Sequence, residues 1–255
     1  MFKITRFIIS DLIRNWILLA LTVFLLVATL GFFMLDAHAE KALLGVMNTV
    51  LLVLPMAAVV FATIYYYNAY EFIGLLMAQP LKRHTILLSI FIGLSTVFCL
   101  AILLGIALPL AFLKPGMTAL TIVLVAMLLS VIFIAFALLG SLMARDKAQG
   151  MGLAMLVWAY FVLMFDGIVL LLMYYYSDYP IEKFVLAITF LNPVDLGRIT
   201  ALMQTEAAAL MGASGAVFRD FFSSGTGTVL ALLVMLLWAV VPMVLAVRKF
   251  NRKNI

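Results

Sequence analysis

The chain has 255 residues, 67% hydrophobic and 11% charged, with a net charge of +5. A soluble domain carries roughly 45–50% apolar and about 25% charged residues, so a water-soluble globule, a disordered chain and a nucleic-acid-binding domain are all excluded. The sixteen Lys and Arg are too scattered to line a phosphate backbone, and a single cysteine, Cys99, excludes a disulfide framework within the chain and any Cys-based zinc or iron–sulfur site.

The first segment, Met1–Ile13, places Lys3 and Arg6 among Phe2, Ile4, Phe7, Ile8, Ile9, Leu12 and Ile13. It is too polar to span and reads as an amphipathic helix, residues 1–15, lying in the membrane interface. A span needs about 20 apolar residues, and six stretches qualify: about Trp16–Leu35, Leu43–Tyr66, Ile86–Leu113, Leu120–Met143, Gly150–Tyr174 and Val229–Val247. No small-residue cleavage site follows the first, so it reads as a span and not as a signal peptide. The third is long and contains Pro109, which predicts a tilt or a kink.

Residues 68–84, between spans two and three, do not read as a plain polar turn. Phe72, Leu75, Leu76 and Met77 can share one face of a short helix that follows Glu71 and ends near Gln79, Pro80 and Leu81. Such a helix suits a hydrophobic groove in a partner protein.

In span five, Asp166 is the one carboxylate well inside an apolar run, and no span supplies a base to pair with it. An ionised Asp at a helix centre costs about 2.5–3.5 kcal/mol on insertion scales. It must face water, protein interior or a partner, so both a functional role and a structural hydrogen bond to a neighbouring helix or subunit stay open.

Residues 177–227 are more polar, with short apolar pieces broken by Pro180 and Pro193 and a Ser/Gly-rich tail from Ser223 to Gly227. Asn192 suits an N-cap, Pro193 the first helical position, and Asp195 the third, where it can complete a capping box. A helix should begin there and run towards Met211, preceded by another at about Ile181–Leu191. Neither is long enough to cross, which predicts an external re-entrant hairpin. Asn192 and Asp195 either only cap, or join Arg198 in a docking surface for an external partner.

Orientation follows from Lys and Arg. One side carries eleven bases, at positions 3, 6, 14, 82, 83, 145, 147, 248, 249, 252 and 253, and three acids. The other carries five bases (Lys41, Lys114, Lys183, Arg198 and Arg219) and seven acids. Both termini are thus expected in the cytoplasm. Tyr65–Tyr67 and Tyr174–Tyr176 fit interfacial aromatic belts.

Glu71, the apolar helix and Pro80-Leu81-Lys82-Arg83-His84-Thr85-Ile86 resemble the cytoplasmic segment of type 2 ABC exporter permeases. In that family the segment is the coupling helix that contacts the ATPase. One departure is Gly74-Leu75, where the family commonly carries Gly-Thr nearer the acid. The six spans, interfacial N-terminal helix and broken external segment extend the resemblance over essentially the whole chain. Two stretches, residues 157–166 and Leu191-Asn192-Pro193-Val194-Asp195-Leu196-Gly197-Arg198-Ile199, are similar to the permeases of nitrous-oxide-reductase maturation transporters.

The resemblance implies a single transmembrane domain over 1–255, a homodimer, two cytoplasmic NosF-like ATPases holding ATP and magnesium, and a periplasmic NosD-like β-helix protein. It also implies a part in supplying the copper–sulfur site of the reductase. The expected fold class is an all-α integral membrane protein. A generic drug, lipid or polysaccharide exporter of the same type is the alternative.

The chain itself is expected to be non-catalytic and without a cofactor or metal. It has no Gly-rich run followed by Lys-Ser or Lys-Thr to hold nucleotide. Asp166 has no acid or His beside it in its span to form an intramembrane catalytic pair, and no internal repeat marks a secondary transporter. Of sixteen methionines only Met151 and Met155 stand at helical spacing, which argues against a Cu(I) site.

Overall fold

The computed structural model describes residues 2–36, 38–79, 81–176, 182–204 and 225–252. Met1, Pro80, Pro180, Ile181, Met211, Arg219, Ser223, Ser224 and Lys253, named above, lie outside the described residues. Among those described, all regular structure is helical, and six helices are long and apolar enough to cross a membrane.

Helix α1 (Phe2–Ile13) turns at Asn15 into α2 (Trp16–Leu35), the first span. The Asn15 side chain accepts the Ile17 N–H at 2.9 Å and so caps α2. The second span is α3 (Ala39–Asn68), followed after one residue by α4 (Tyr70–Met77). The third joins α5 (Arg83–Ile102), a π-helical turn over Leu103–Ala107, and α6 (Leu108–Leu113). The fourth is α7 (Met117–Met143), and the fifth joins α8 (Lys147–Ala159), a second π-turn over Tyr160–Met164, and α9 (Phe165–Tyr175). Two short helices, α10 (Glu182–Thr189) and α11 (Pro193–Leu202), precede the last span, α12 (Gly225–Arg252). With six spans, the start of α2 and the end of α12 lie at one end of the bundle, the proximal end.

The expected distortion near Pro109 takes the form of the first π-turn. Proline has no N–H to donate, and its ring crowds the carbonyl four residues back, here that of Gly105. The turn widens instead, and Leu108 N–H donates to Leu103, five residues back. The same turn packs on α2: a Cβ at Gly105 would lie 2.7 Å from Leu25 Cβ and 3.0 Å from the Thr22 carbonyl oxygen.

The core forms around α7, which packs against α3, α5, α8, α11 and α12. Two-thirds (67%) of its apolar stretch is buried, against 17% for α2 and for the α8–α9 span, so α7 is central and those two are peripheral. Phe133, Ile132, Leu129 and Leu138 of α7 are fully enclosed.

Helix α1 packs on α5, burying Ile8 and Leu12 and leaving Phe7 exposed. It lies close at Gly93, where a Cβ would stand 2.5 Å from Ile8 Cγ2. Gly93→Leu should therefore push α1 off α5, at the roughly 1–3 kcal/mol typical of overpacking. Maleimide labelling of Ile8→Cys in a Cys99→Ala background checks this: the thiol is protected beside Gly93 and becomes reactive beside Leu.

Candidate functional site

The distal site is built where α11 meets the middle of span five. In the π-turn over Tyr160–Met164, Phe165 N–H donates to Tyr160, five residues back, and not to Phe161. The Phe161 carbonyl accepts instead from the side-chain amide of Asn192, Nδ2 to O 2.9 Å. The Asn192 oxygen in turn accepts the Val194 N–H at 2.9 Å, capping α11, with Pro193 at its first position. One fully buried residue thus starts a helix and closes a gap in another.

Trp238 of α12 holds the turn before Asn192. Its indole N–H donates to the Phe190 carbonyl at 3.1 Å, and its ring meets that of Phe161 edge-on, 5.4 Å between centroids. At the other end of α11, Thr118 of α7 donates its hydroxyl to the Gln204 carbonyl at 2.7 Å. Between these anchors Gly197 lets α11 lie close against α7 and α12. A Cβ there would stand 2.8 Å from Val125 Cγ1 and 3.4 Å from Met235 Cε.

From the Asn192–Phe161 contact, α9 and α11 each lead one to two turns on to a charged residue, and the two meet. Arg198 Nη1 donates to Asp166 Oδ2 at 2.6 Å and lies 3.3 Å from Asp195 Oδ1. The cation missing from the spans is therefore supplied by the short helix that packs on them. Asp166 and Arg198 are each about a third exposed (32%), so the pair lies at the surface of the bundle, while Asp195 is buried. One guanidinium faces two carboxylates, and the buried Asp195 oxygen has no hydrogen bond of its own.

Most of these residues point inward. Asn192, Pro193 and Asp195 are buried, and Arg198 is engaged by Asp166. Of the residues weighed for a docking surface, Arg198 is the one left partly exposed. Capping by Asn192 occurs as its residue type suggests. Asp195 faces Arg198, and the Asn192 N–H donates to Thr189. Helix α11 ends at Leu202, and α10 is shorter than the apolar run that suggested it.

Helix α4 forms the proximal site. It packs on α3 and α5, and Phe72 stacks at 5.5 Å on Phe7 of α1. Ile73 and Leu76 are buried, Phe72 and Met77 half-buried. The outward face is Glu71, Leu75, Ala78 and Gln79, with Leu75 70% exposed. The sequence grouped Leu76 with Leu75. The structure separates them, because α3 and α5 claim the Ile73–Leu76 side. Leu81 and Arg83 are half-buried where α5 begins.

Sequence reading missed Trp238 and the second π-turn. The pairing of Asp166 had a signal: an acid at membrane depth must face water, protein interior or a partner, and Arg198 lies in the one segment with short, broken apolar pieces.

The charge arrangement predicts unequal losses. Arg198→Gln leaves two carboxylates facing each other and should lower the melting temperature more than Asp166→Asn, which leaves Arg198 with Asp195. The double variant should lose less than the sum, since the residues are directly coupled. Thermal unfolding of the purified chain in detergent checks the order; equal or additive losses would contradict it.

The family described as ABC-2 family transporter protein matches residues 49–255. The "Probable ABC transporter permease protein NosY" of Stutzerimonas stutzeri is 29% identical over 272 residues, covering 98% of this chain and 98% of the relative. The protein of the same description from Pseudomonas aeruginosa is 30% identical over 274 residues, covering 99% and 98%. Six apolar spans, a short helix at the proximal end and these near-complete matches make the chain a NosY-like permease subunit of the ABC-2 transporter family.

Proposed function

We propose that this chain couples a separate cytoplasmic ATPase, NosF-like, to events at the periplasmic side of the inner membrane, with both termini in the cytoplasm. ATP and magnesium belong to that partner. The reading is carried by α4: a short helix with one face buried in the permease presents Leu75, 70% exposed, beside Glu71 and Gln79. An exposed leucine on a helix anchored from behind is what a groove in a motor subunit takes up. Closure of two ATPases would move α4 and, with it, α3, α5 and α1, which it touches.

At the periplasmic side the hairpin of α10 and α11 would receive the movement and pass it to a NosD-like partner. Its turn lies beside Phe161 and Trp238, at the midpoints of their spans, which supports a re-entrant placement. The permease would act as a homodimer in maturing the copper–sulfur site of nitrous oxide reductase, and no copper needs to pass through the chain for that.

Leu75→Asp should reduce co-purification of the ATPase at least about tenfold, as expected when a buried apolar anchor becomes charged, without changing the melting temperature of the permease. A strain lacking its NosY should regain reductase activity when given this chain together with its ATPase, and should not with Leu75→Asp. Undiminished ATPase capture by Leu75→Asp would contradict the role of α4. Failure of the wild-type chain to restore the reductase would contradict the maturation role alone.

A further inference from the structure

A cavity of about 1240 Å³ opens at the proximal end, between the end of α3, the α7–α8 corner and the last turns of α12. Five bases line it: Arg145 and Lys147 from the corner, and Arg248, Lys249 and Arg252 from α12. Among the described residues none of the five has a carboxylate in ion-pair range. Asp146 is the one acid in the wall, and its oxygen accepts the Gln149 N–H at 2.8 Å to cap α8. Lys147 reaches only the neutral oxygen of Asn68, at 3.2 Å.

An excess of bases at this end follows from topology alone, and bases near a helix C-terminus also favour its dipole. Neither accounts for a second observation. Tyr66, 1% exposed, belongs to the cavity wall, and its hydroxyl has no hydrogen-bond partner. A buried hydroxyl is ordinarily paired; this one is unpaired and sealed from solvent, so it donates to an occupant only where the cavity wall around it yields. The third feature is apolar. Met143 and Leu245 stand 56% and 46% exposed in the same wall.

We propose that this cavity binds the headgroup of an anionic phospholipid of the inner leaflet. The bases meet the phosphate, the Tyr66 hydroxyl donates to one of its oxygens, and Met143 and Leu245 lie against the start of the acyl chains. A soluble phosphate or nucleotide would use the bases but gain nothing from the two apolar side chains. The cavity lies at the ends of α3, α7 and α12, three spans, where a lipid phosphate sits. Basic pockets between spans on the cytoplasmic side are known to hold such headgroups. Tyr70, the first residue of α4, also lines the cavity, so an occupant touches the helix assigned to the motor.

The test titrates the full-length chain, in neutral detergent, with dioctanoyl phosphatidylglycerol, dioctanoyl phosphatidylcholine, inorganic phosphate and ATP, reading the melting temperature. Phosphatidylglycerol should stabilise at about tenfold lower concentration than phosphatidylcholine, and the preference should weaken with salt. Arg248→Gln with Arg252→Gln, both exposed, should remove that preference while leaving the unliganded melting temperature unchanged. Tyr66→Phe should weaken it about two- to fivefold without destabilising the free chain, because no existing hydrogen bond is lost. Equal response to the two lipids would overturn the proposal, as would an equal shift from phosphate or ATP alone, or a full response in the double variant. Were the double variant to misfold, the comparison of lipids on the wild-type chain and on Tyr66→Phe still decides.

Discussion

The distal half of the molecule depends on one hydrogen bond, from the Asn192 amide to the Phe161 carbonyl. Inside a bilayer no water is available to satisfy a backbone group, so a helix can break its ladder only where protein fills the gap. The π-turn of span five makes such a gap, and Asn192 fills it while capping α11. The two segments start from that shared point, and Arg198 therefore arrives at Asp166. The turn contact and the charge pair thus hold the same two segments at successive points.

The proximal helix and the distal cluster are joined by rigid elements. Helix α3 touches α4 at one end and also contacts α11, while α7 packs against α3, α11 and α12. Displacement of α4 therefore has a continuous packed route to the hairpin through the best-buried part of the molecule. Gly197 is the close contact on that route, since any larger residue would part α11 from α7 and α12. The peripheral helices, α2 and the α8–α9 span, leave broad apolar faces to lipid or to a second subunit.

The spans were legible because each is a long apolar run, interrupted by a charge only at Asp166. Trp16–Leu35 matches its helix, and the other five extend beyond their apolar runs by a few residues at one or both ends, such as Lys147 and Arg83. The Asn192-Pro193 cap was legible for the same local reason: both residue types act on their own helix terminus. What was not legible depends on packing between distant segments. Arg198 and Asp166 are 32 residues apart, and nothing local to either names the other. Leu75 and Leu76 are equivalent by composition, and only the positions of α3 and α5 decide which is buried. Pro109 announced a distortion, but the π-turn at Tyr160–Met164 has no proline and no sequence mark.

The central claim is that the hairpin and span five form one body, joined through Asn192 and Asp166. Spin labels at Leu170 of α9 and Phe184 of α10, both well exposed, would measure it directly in a Cys99→Ala background by pulsed dipolar spectroscopy. The account predicts one narrow distance distribution for the wild-type chain, broadened by Asn192→Ala. A broad distribution in the wild-type chain, or a narrow one that Asn192→Ala leaves unchanged, would contradict it.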